Sequence, residues 1–398
     1  MKSRSLRIVY ACPFFEPALN FGGPVTQLGT MCRALAARGH RVRVVTTDVG
    51  TPADLERDRW LTRDGYQVFY AKSSRLGRVP PYYNTRVRGA LEQALGDADV
   101  LDLQSLFTHV NHVAREVATR RRVPFVVTPR DALSPVYLRH KRWKKRVFVD
   151  LWERRLLREA TAIHALHETE KAEIAAIAAT TDKTWIISNA CELAGRAHWP
   201  TGEAFRRAFG IAPEAPLVLF MSRLHPLKGL DLLCRAFHTV RSRVPQAVLV
   251  LAGTDEGGLS DVRREASALL ATGAIRLVGH LAGELKLSAL VAADVFTLTS
   301  RAEGIPNSVL EALSSGTPCV ITETCHVPEV AARGAGRVTS LSPSDIAAAL
   351  VELLQAPEAL VQMGKNAAAY AVAAHRPERI AGELEALYEH CAGAAGHG

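Results

Sequence analysis

Short apolar runs alternate with amphipathic stretches from one end of this 398-residue chain to the other. In the first half, the apolar runs predict strands at Leu6–Cys12, Val42–Thr47, Val100–Leu103, Phe125–Thr128, Ala162–Ala165 and Trp185–Ser188. Helical patterns lie between these runs, for example at Pro24–Arg38 and His109–Arg120. This alternation predicts an α/β protein in which helices cover both faces of a parallel sheet.

The same cycle restarts in the second half of the chain. Strands are predicted at Leu217–Ser222, Ala247–Ala252, Ile275–Val278, Val295–Thr299 and Pro318–Thr322, and helices at Leu230–Arg243, Asp261–Ala271, Glu284–Ala292 and Asn307–Ser315. The stretch between Asn189 and Glu203 breaks both periodicities, which is typical of a linker. We therefore predict two doubly wound domains, 1–190 and 203–376, with ligands at the carboxyl ends of the strands.

Composition supports a two-domain protein and excludes several classes. A chain of 398 residues is too long for one ordinary core, and its 48% apolar and 22% charged residues are typical of a globular protein. The apolar stretch Leu6–Cys12 contains Arg7 and stops at Pro13, so it is too short for a signal peptide. No run of about 18 apolar residues predicts a transmembrane helix. Seven scattered cysteines without a Cys-x-x-Cys pair indicate reduced thiols in a cytoplasm.

The net charge of +9 is partly concentrated in one segment. Residues Arg139 to Arg158 include nine Lys or Arg, six of which fall within 139–146. A solvated helix face is one interpretation, and contact with an anionic membrane surface or an acidic substrate is an equally good one. Nucleic acid is the least favoured partner, because no nucleic-acid-binding motif accompanies the charge.

Two acids lie in and after the loop that follows the predicted strand Val295–Thr299. Glu303 lies in the loop and Glu311 eight positions later in the next helix, with Pro306 expected in the first turn and Asn307 or Ser308 expected to cap it. Amides and the helix dipole at such a start favour hydroxyl or phosphate oxygens, and each carboxylate suits a vicinal diol. The eight-residue spacing of the two glutamates, taken by itself, favours an exposed loop acid at Glu303 and a solvated helix residue at Glu311.

Two cations occupy the equivalent loop after the predicted strand Leu217–Ser222. Arg223 and Lys228 precede a helix start, where an anion is already favoured. Arginine offers a planar fork and lysine a point charge, which together suit a diphosphate. Alternatively, either cation pairs with a nearby acid such as Asp231.

A pair of glycines opens the first helix. Gly22 and Gly23 permit close approach of the backbone to a ligand, and Pro24 fits the first helical turn. A tight turn without a ligand is nearly as compatible with this pattern. The segment is not Gly-x-Gly-x-x-Gly, which counts against a dehydrogenase.

Together these three segments resemble the retaining glycosyltransferases of family 4, the glycosyl transferases group 1 type. The resemblance covers almost the whole chain, through the segments 13–24, 39–40, 187–190, 222–229, 252–258, 278–280, 293–296 and 303–318. It implies the GT-B fold, in which two Rossmann-like domains face each other across a cleft that holds the active site. It also implies that the C-terminal helix, 377–392, packs on the first domain through one apolar face that includes Tyr388.

The resemblance implies a role for each candidate residue. Arg223 and Lys228 match the pair that binds the donor diphosphate and stabilises the leaving nucleoside diphosphate. Glu303 matches the acid beside the donor sugar, and Glu311 matches the acid that binds the ribose hydroxyls. The remaining donor-binding positions are the backbone of Gly304, Ile305, Pro306 and Asn307, the glycines Gly22 and Gly23 along the diphosphate, and residues 276–281 near the base. The family usually needs no metal and no cofactor.

The sequence departs from the family pattern at two places. Where members often carry His-x-His, this chain has Asp102 and Gln104, so Gln104 is expected to contact the donor sugar without a charge. His109 and His112 lie nearby and would substitute in part, or are ordinary helix residues. Asp131 stands where a glycine is usual, and both an acceptor contact and a turn carboxylate fit it.

The family resemblance implies transfer of a hexose from a nucleoside-diphosphate sugar to an acceptor hydroxyl, with retention of configuration, in glycan, polysaccharide or glycolipid biosynthesis. Joined to the basic segment, it predicts a cytoplasmic enzyme that visits an anionic membrane and acts on a lipid-linked or polymeric glycan. Three alternatives stay open: a catalytically weak nucleotide-sugar-binding protein, a GT-B epimerase or phosphorylase, and a nucleic-acid binder that rests on charge alone. The sequence gives neither the donor sugar nor its base, acceptor or linkage.

Overall fold

A computed structural model describes residues 4–139, 147–179 and 182–395, so most of the basic run at 139–146 lies outside the described residues. The chain forms two compact units. The first comprises the residues up to Ala190 together with those from Pro377 onward, and the second is Cys191–Arg376. Each unit is an α/β domain with a predominantly parallel sheet, which confirms the predicted fold class.

Eight strands form the sheet of the first unit within the described residues. They are β1 (Arg7–Ala11), β2 (Arg41–Thr47), β3 (Trp60–Arg63), β4 (Tyr66–Ala71), β5 (Val100–Gln104), β6 (Phe125–Thr128), β7 (Ala162–Ala165) and β8 (Thr184–Ile186). Their order is β3-β4-β2-β1-β5-β6-β7-β8, and only the β3/β4 hairpin is antiparallel. The strand order reverses between β1 and β5, so the carboxyl ends of these two strands mark the position where such sheets bind ligands.

Six helices accompany this sheet before the second unit begins, within the described residues. They are α1 (Gly23–Ala37), α2 (Val87–Ala94), α3 (His109–Arg121), α4 (Pro135–Arg139), α5 (Arg154–Glu159) and α6 (Glu168–Ala178). A π-helical turn, Val149–Glu153, precedes α5. Sequence analysis missed β3 because it is partly exposed along its whole length and lacks a continuous apolar run. It also missed β4, whose apolar run is interrupted by the polar, exposed Gln67.

The second unit has a fully parallel sheet of six strands in the described part of the chain. They are β9 (Leu217–Met221), β10 (Val248–Ala252), β11 (Ile275–Gly279), β12 (Val295–Leu298), β13 (Cys319–Thr322) and β14 (Gly336–Thr339). The order β11-β10-β9-β12-β13-β14 is that of a doubly wound nucleotide-binding sheet. Its strand order reverses between β9 and β12, which are the two strands that carry the predicted cations and acids.

Eight helices surround this second sheet, counted over the described residues. They are α7 (Glu203–Ala208), α8 (Leu230–Arg243), α9 (Leu259–Ala271), α10 (Gly283–Ala292), α11 (Asn307–Ser314), α12 (Glu329–Ala332), α13 (Pro343–Leu354) and α14 (Pro357–His375). Residues 187–202, which include the predicted linker, contain neither helix nor strand.

The last helix, α15 (Pro377–Ala395), belongs to the first unit. Its apolar face buries Ile380, Leu384, Leu387 and Tyr388 in the core on the α1 side of the sheet. The helix therefore folds with a domain from which it is separated in sequence by the entire second unit.

No single helix among the described residues is long and apolar enough to cross a membrane. One pair, Pro343–Leu354 with Pro357–Ala394, meets the criterion only by length and composition and is bent by 102°. All seven cysteines are free and buried in the described chain.

Candidate functional site

Hydrogen bonds join the loops that follow β9 and β12. The Thr299 hydroxyl donates to the Gly229 carbonyl at 3.0 Å, and the Arg301 amide donates to the Leu227 carbonyl at 2.8 Å. Gly229 has a φ of +67°, and a Cβ at this position would lie 2.0 Å from the Thr299 carbonyl oxygen. Only glycine tolerates both the positive φ and the lack of space for a Cβ at this position. The close approach of the two loops therefore requires the glycine at 229.

An ion pair joins the loop after β12 to the first turn of α8. The Arg301 guanidinium donates to both carboxylate oxygens of Asp231 at 2.8 and 2.7 Å. Burial alone would raise the pKa of Asp231, but Arg301 and then Arg235 lower it to about 2. Asp231 therefore pairs with these two arginines among the described residues, and the alternative that it pairs with Arg223 or Lys228 is not what the structure shows.

The centre of the site is a contact between Lys228 and Glu303. The Lys228 ammonium pairs with Glu303 Oε1, and the Ser300 hydroxyl donates to the same oxygen at 2.6 Å. The two charged side chains are only 10% and 11% exposed, so neither would be stable there without a partner. Within the described residues, Glu303 Oε2 accepts no hydrogen bond, which leaves one carboxylate oxygen for a ligand.

Arg223 lies in the same loop but has a different partner. Its guanidinium donates to Glu256, in the loop after β10, at 2.9 Å. The two side chains are 48% and 34% exposed, and exposed pairs of this kind contribute only about 0–1 kcal/mol. The structure thus brings Lys228 and Glu303 together and leaves Arg223 in a weak pair that an incoming anion can displace.

Glu311 lies in α11 and pairs with a residue that sequence analysis missed. Lys286, on α10, donates to Glu311 Oε1 at 2.6 Å, and the side chains are 28% and 18% exposed. Twenty-five positions separate the two residues along the chain, so no local pattern indicated this pair. Residues 276–281, expected near the base, form most of β11 and the turn after it.

The start of α11 differs from the expectation. The helix begins at Asn307 and its N-cap residue is Pro306, so neither Asn307 nor Ser308 occupies the capping position. The reason is that Pro306 has an extended backbone, with φ −74° and ψ 123°, and the chain enters the helix directly after it. Gly304 and Ile305 are half-buried between Glu303 and this helix start.

In the first unit, the two glycines lie where α1 begins. Gly22 has φ +79° and ψ −150°, a combination that is essentially restricted to glycine. Gly23 is the first residue of α1 and Pro24 the second, as expected for a proline in the first turn. The backbone conformation explains the residue type at position 22 without a ligand, so the diphosphate role of both glycines stays a prediction.

Gln104 ends β5, beside the strand-order reversal of the first sheet. Its amide donates to Asp102 Oδ1 at 2.7 Å and accepts from Arg130 Nε at 3.0 Å. It also lines a cavity of about 170 Å³ together with Phe14 and Phe21. The residue expected to replace the missing histidine is therefore buried, hydrogen-bonded and adjacent to a cavity.

The two nearby histidines have other partners. His109 Nδ1 accepts from the Asn84 amide at 3.3 Å, its ring packs 4.3 Å from that of Tyr83, and burial lowers its pKa. His112 Nε2 lies 3.4 Å from a carboxylate oxygen of Glu153. Both imidazoles thus contact other residues of the first unit. These contacts give no support to the idea that His109 and His112 take over the role of the family's His-x-His pair.

Asp131 lies in a tight turn after β6. It is 3% exposed with a φ of +61°, and its backbone amide donates to Glu170 Oε1 at 2.5 Å. His167 Nε2 lies 3.6 Å from Asp131 Oδ1. These contacts fit a turn carboxylate, and the acceptor contact stays a prediction.

Two family models match the chain, one in each unit. Glycosyl transferases group 1 matches residues 202–370, and Glycosyl transferase 4-like domain matches residues 22–190. The chain belongs to glycosyltransferase family 4. In this family 4 protein, the Lys228–Glu303 contact lies in the part that matches Glycosyl transferases group 1. Gln104 lies in the part that matches the Glycosyl transferase 4-like domain.

The family 4 protein is similar to two curated relatives and shares its fold with a solved structure. It is 30% identical to D-inositol 3-phosphate glycosyltransferase 2 of Catenulispora acidiphila over 42% of each chain. It is also 30% identical, over 40% of this chain and 44% of the relative, to the GDP-mannose-dependent monoacylated alpha-(1-6)-phosphatidylinositol monomannoside mannosyltransferase of Corynebacterium glutamicum. The chain thus spans less than half the length of these relatives. The structure of HepE from Anabaena in complex with UDP-glucose has a TM-score of 0.73 at 19% identity, over 96% of this chain and 100% of HepE.

Proposed function

We propose that the protein transfers a hexose from a nucleoside-diphosphate sugar to an acceptor hydroxyl, with retention of anomeric configuration. One observation carries this proposal: Lys228, Glu303 and Ser300 form a buried, charged cluster at the strand-order reversal of the second sheet. A single lysine beside a carboxylate with one open oxygen supplies a cation for phosphate and an acceptor for a sugar hydroxyl. Such a combination suits a ligand that carries both groups.

The donor chemistry is supported by the compared proteins. HepE was solved with UDP-glucose, and the mannosyltransferase is named for its use of GDP-mannose. We propose that Glu311 binds the ribose diol of either nucleotide and that Lys228 and Arg223 bind the diphosphate. Lys286 then holds the Glu311 carboxylate in place until the ribose hydroxyls bind.

The proposed reaction balances without a further reactant. The bond between the anomeric carbon and the diphosphate oxygen breaks, a bond to the acceptor oxygen forms on the same face, and the acceptor proton passes to the leaving phosphate. Lys228 and Arg223 stabilise the negative charge that develops on that phosphate. The described residues contain no group of three or more His, Cys, Asp or Glu side chains that suits a metal ion, and independence of metal stays a prediction.

The reaction type is tested by product analysis. The protein is incubated with UDP-glucose or GDP-mannose and a panel of glycan and lipid-linked acceptors, and the products are examined by proton NMR. We expect an α-linked product from an α-linked donor. A β-linked product would contradict retention, an epimerised nucleotide sugar would indicate an epimerase, and donor binding without product from any acceptor would favour the catalytically weak sugar-binding protein.

Glu311→Ala is expected to weaken nucleotide binding while affecting the chemical step little. Loss of hydrogen bonds from a charged acceptor to a diol lowers affinity by about tenfold to a hundredfold. The measurement is calorimetric titration with UDP and GDP. The matched control is Glu352→Ala, since Glu352 is also a helical glutamate of the second unit in a pair with a basic residue, Arg337. Unchanged affinity in Glu311→Ala would remove the ribose role.

We also propose that the acceptor is a lipid-linked or polymeric glycan at an anionic membrane. In this proposal the protein binds peripherally to the inner face of that membrane. Directly after the basic segment 139–146 in the sequence, three apolar side chains are exposed: Val147 is 49% exposed, Leu151 59% and Trp152 45%. Trp152 packs against Phe148 at 4.7 Å between ring centroids, which holds its ring in place. Exposed apolar side chains next to clustered lysines and arginines are typical of helices that lie on anionic membranes.

The double substitution Leu151→Ser with Trp152→Ser is expected to reduce binding to anionic vesicles severalfold, because both apolar contacts with the bilayer are lost. Sedimentation with phosphatidylglycerol-containing and with pure phosphatidylcholine vesicles, at low and moderate salt, measures this effect. Val361→Ser, at a 62% exposed position of the second unit, is the control. Equal recovery of the unmodified protein with both vesicle types at low salt would contradict the membrane proposal.

A further inference from the structure

A second ion pair lies beside the Lys228–Glu303 contact in the second unit. Arg301 donates to both carboxylate oxygens of Asp231, at 2.8 and 2.7 Å. In the sequence, Arg301 precedes Glu303 by two residues and Asp231 follows Lys228 by three. The two pairs therefore bridge the same two segments with the charges reversed. In one pair the cation comes from the segment after β9, and in the other it comes from the loop after β12.

Arg301 also holds the backbone turn that carries Lys228. Its guanidinium donates to the Pro226 carbonyl at 3.2 Å, and its backbone amide donates to the Leu227 carbonyl at 2.8 Å. Both carbonyls belong to the 3₁₀ turn that ends at Lys228. The contacts of Arg301 with this turn and with Asp231 thus fix the turn on both sides of the lysine.

Asp231 is occupied on both carboxylate oxygens. Both accept from Arg301, and Oδ2 also accepts from Arg235 at 2.7 Å. The Asp231 side chain is 10% exposed, and although burial raises its pKa, Arg301 and then Arg235 lower it to about 2. A guanidinium is always protonated in proteins. The Asp231–Arg301 pair therefore stays charged at neutral and at mildly acidic pH.

Lys228, in contrast, still has donors for a ligand. An ammonium carries three N–H donors, and within the described residues the side chain of Lys228 donates only to Glu303 Oε1. A phosphate oxygen can therefore bind Lys228 without displacing Glu303. One contact fixes a flexible lysine less well than a bidentate contact fixes an arginine. The position of Lys228 consequently depends on the backbone turn that Arg301 holds.

We propose that Asp231 and Arg301 are positioning residues that hold Lys228 where it binds the donor diphosphate. This inference rests on the proposed function and adds to it an ion pair that keeps its partners while Lys228 binds phosphate. Asp231 makes no contact with the nucleotide in this account, because its negative charge would repel a diphosphate. Removing either residue of the pair should therefore weaken nucleotide binding only through Lys228.

The test is a set of double-variant titrations. Calorimetry of the full chain with UDP, GDP, ADP, CDP and dTDP first identifies the nucleotide that binds. Arg301→Ala and Asp231→Asn are each expected to raise the Kd for that nucleotide about threefold to tenfold, as partial loss of one charge-assisted hydrogen bond does. In the Lys228→Ala protein, the same substitutions should change the Kd by less than about twofold, because the residue that they position is absent.

Arg235→Ala is the matched control. Arg235 contacts the same carboxylate at 2.7 Å, but it lies on α8 one turn after Asp231, and its other ion pair is with Glu265 rather than with the loop after β12. The Kd for the nucleotide should be unchanged in this variant. Arg301→Lys keeps the charge without the bidentate contact, so its Kd should lie between those of Arg301→Ala and the unmodified protein.

The outcomes separate this inference from the function on which it rests. A raised Kd in Arg301→Ala but not in Asp231→Asn would show that Arg301 itself binds the anion, which overturns the positioning role. An equal rise with and without Lys228, or a lower unfolding temperature at an unchanged Kd, would show a merely structural role. Binding of no nucleoside diphosphate at all would overturn the proposed function together with this inference. Arg301→Lys and Asp231→Asn decide the matter if Arg301→Ala does not fold.

Discussion

Lys228→Ala is expected to lower turnover by roughly 10²-fold or more, because it removes a preorganised charge from the phosphate on which negative charge develops. Among the described residues, the same substitution leaves the Ser300 hydroxyl as the one remaining partner of the buried Glu303 carboxylate. We therefore expect a loss of about 1–3 kcal/mol in the free energy of unfolding. Turnover of UDP-glucose or GDP-mannose, measured well below the unfolding temperature, separates the two effects.

Two further variants define the role of that lysine. The double variant Lys228→Ala with Glu303→Ala should recover much of the lost stability and none of the activity, since the uncompensated charge is gone while the phosphate still lacks its cation. Lys365→Ala, which removes an exposed lysine of α14, is the control and should be neutral.

Arg223→Ala should also reduce turnover by about 10²-fold, with little change in stability because its pair with Glu256 is exposed. Near-normal activity in both single variants would remove the diphosphate assignment.

Glu303→Gln is expected to lower turnover by roughly 10²-fold and to reduce the preference for one sugar over its epimer. The amide keeps the size of the side chain but replaces the open carboxylate oxygen by a weaker hydrogen-bonding group and leaves Lys228 without its counter-charge. Steady-state kinetics with epimeric donors, UDP-glucose and UDP-galactose for example, measures both effects. Ser300→Ala removes the other contact to the same carboxylate and should cost only about threefold to tenfold. An unchanged ratio of kcat/KM for the two epimers in Glu303→Gln would contradict a contact between this acid and the sugar.

Much of the fold follows from the sequence because buried parallel strands are continuous apolar runs. The structure has a helix at the predicted Leu230–Arg243 and a strand at the predicted Ala162–Ala165. The edge strands β3 and β14 were missed, since both are partly exposed and lose the apolar signal. β4 lies between β3 and β2 and is mostly buried, but the polar Gln67 interrupts its apolar run. The end of β8 at Ile186, two residues before the prediction, reflects the usual uncertainty at element boundaries.

The candidate site is predictable only in part, for a physical reason. Lys228 and Glu303 lie in loops that follow neighbouring parallel strands, so the rule that such loops meet at the carboxyl edge of the sheet brings them together. Lys286 is held against Glu311 by helix packing, and Tyr388 against Asp102 by the return of α15, and neither contact has a signature in local sequence. The positions that support a site are set by tertiary packing, which a single sequence does not display.

The central claim is that the second unit binds a nucleoside diphosphate through Lys228. Thermal unfolding in the presence of nucleotides tests this claim most directly. A ligand at a hundred times its Kd stabilises the folded protein by about 2.7 kcal/mol. In a unit of this size, that corresponds to a rise of roughly 5–10 °C in the unfolding temperature. We expect such a rise with UDP or GDP and with the corresponding nucleotide sugar, a much smaller one with the nucleoside, and the loss of the nucleotide effect in Lys228→Ala. No rise with any nucleoside diphosphate or nucleotide sugar, or an equal rise in Lys228→Ala, would contradict the account.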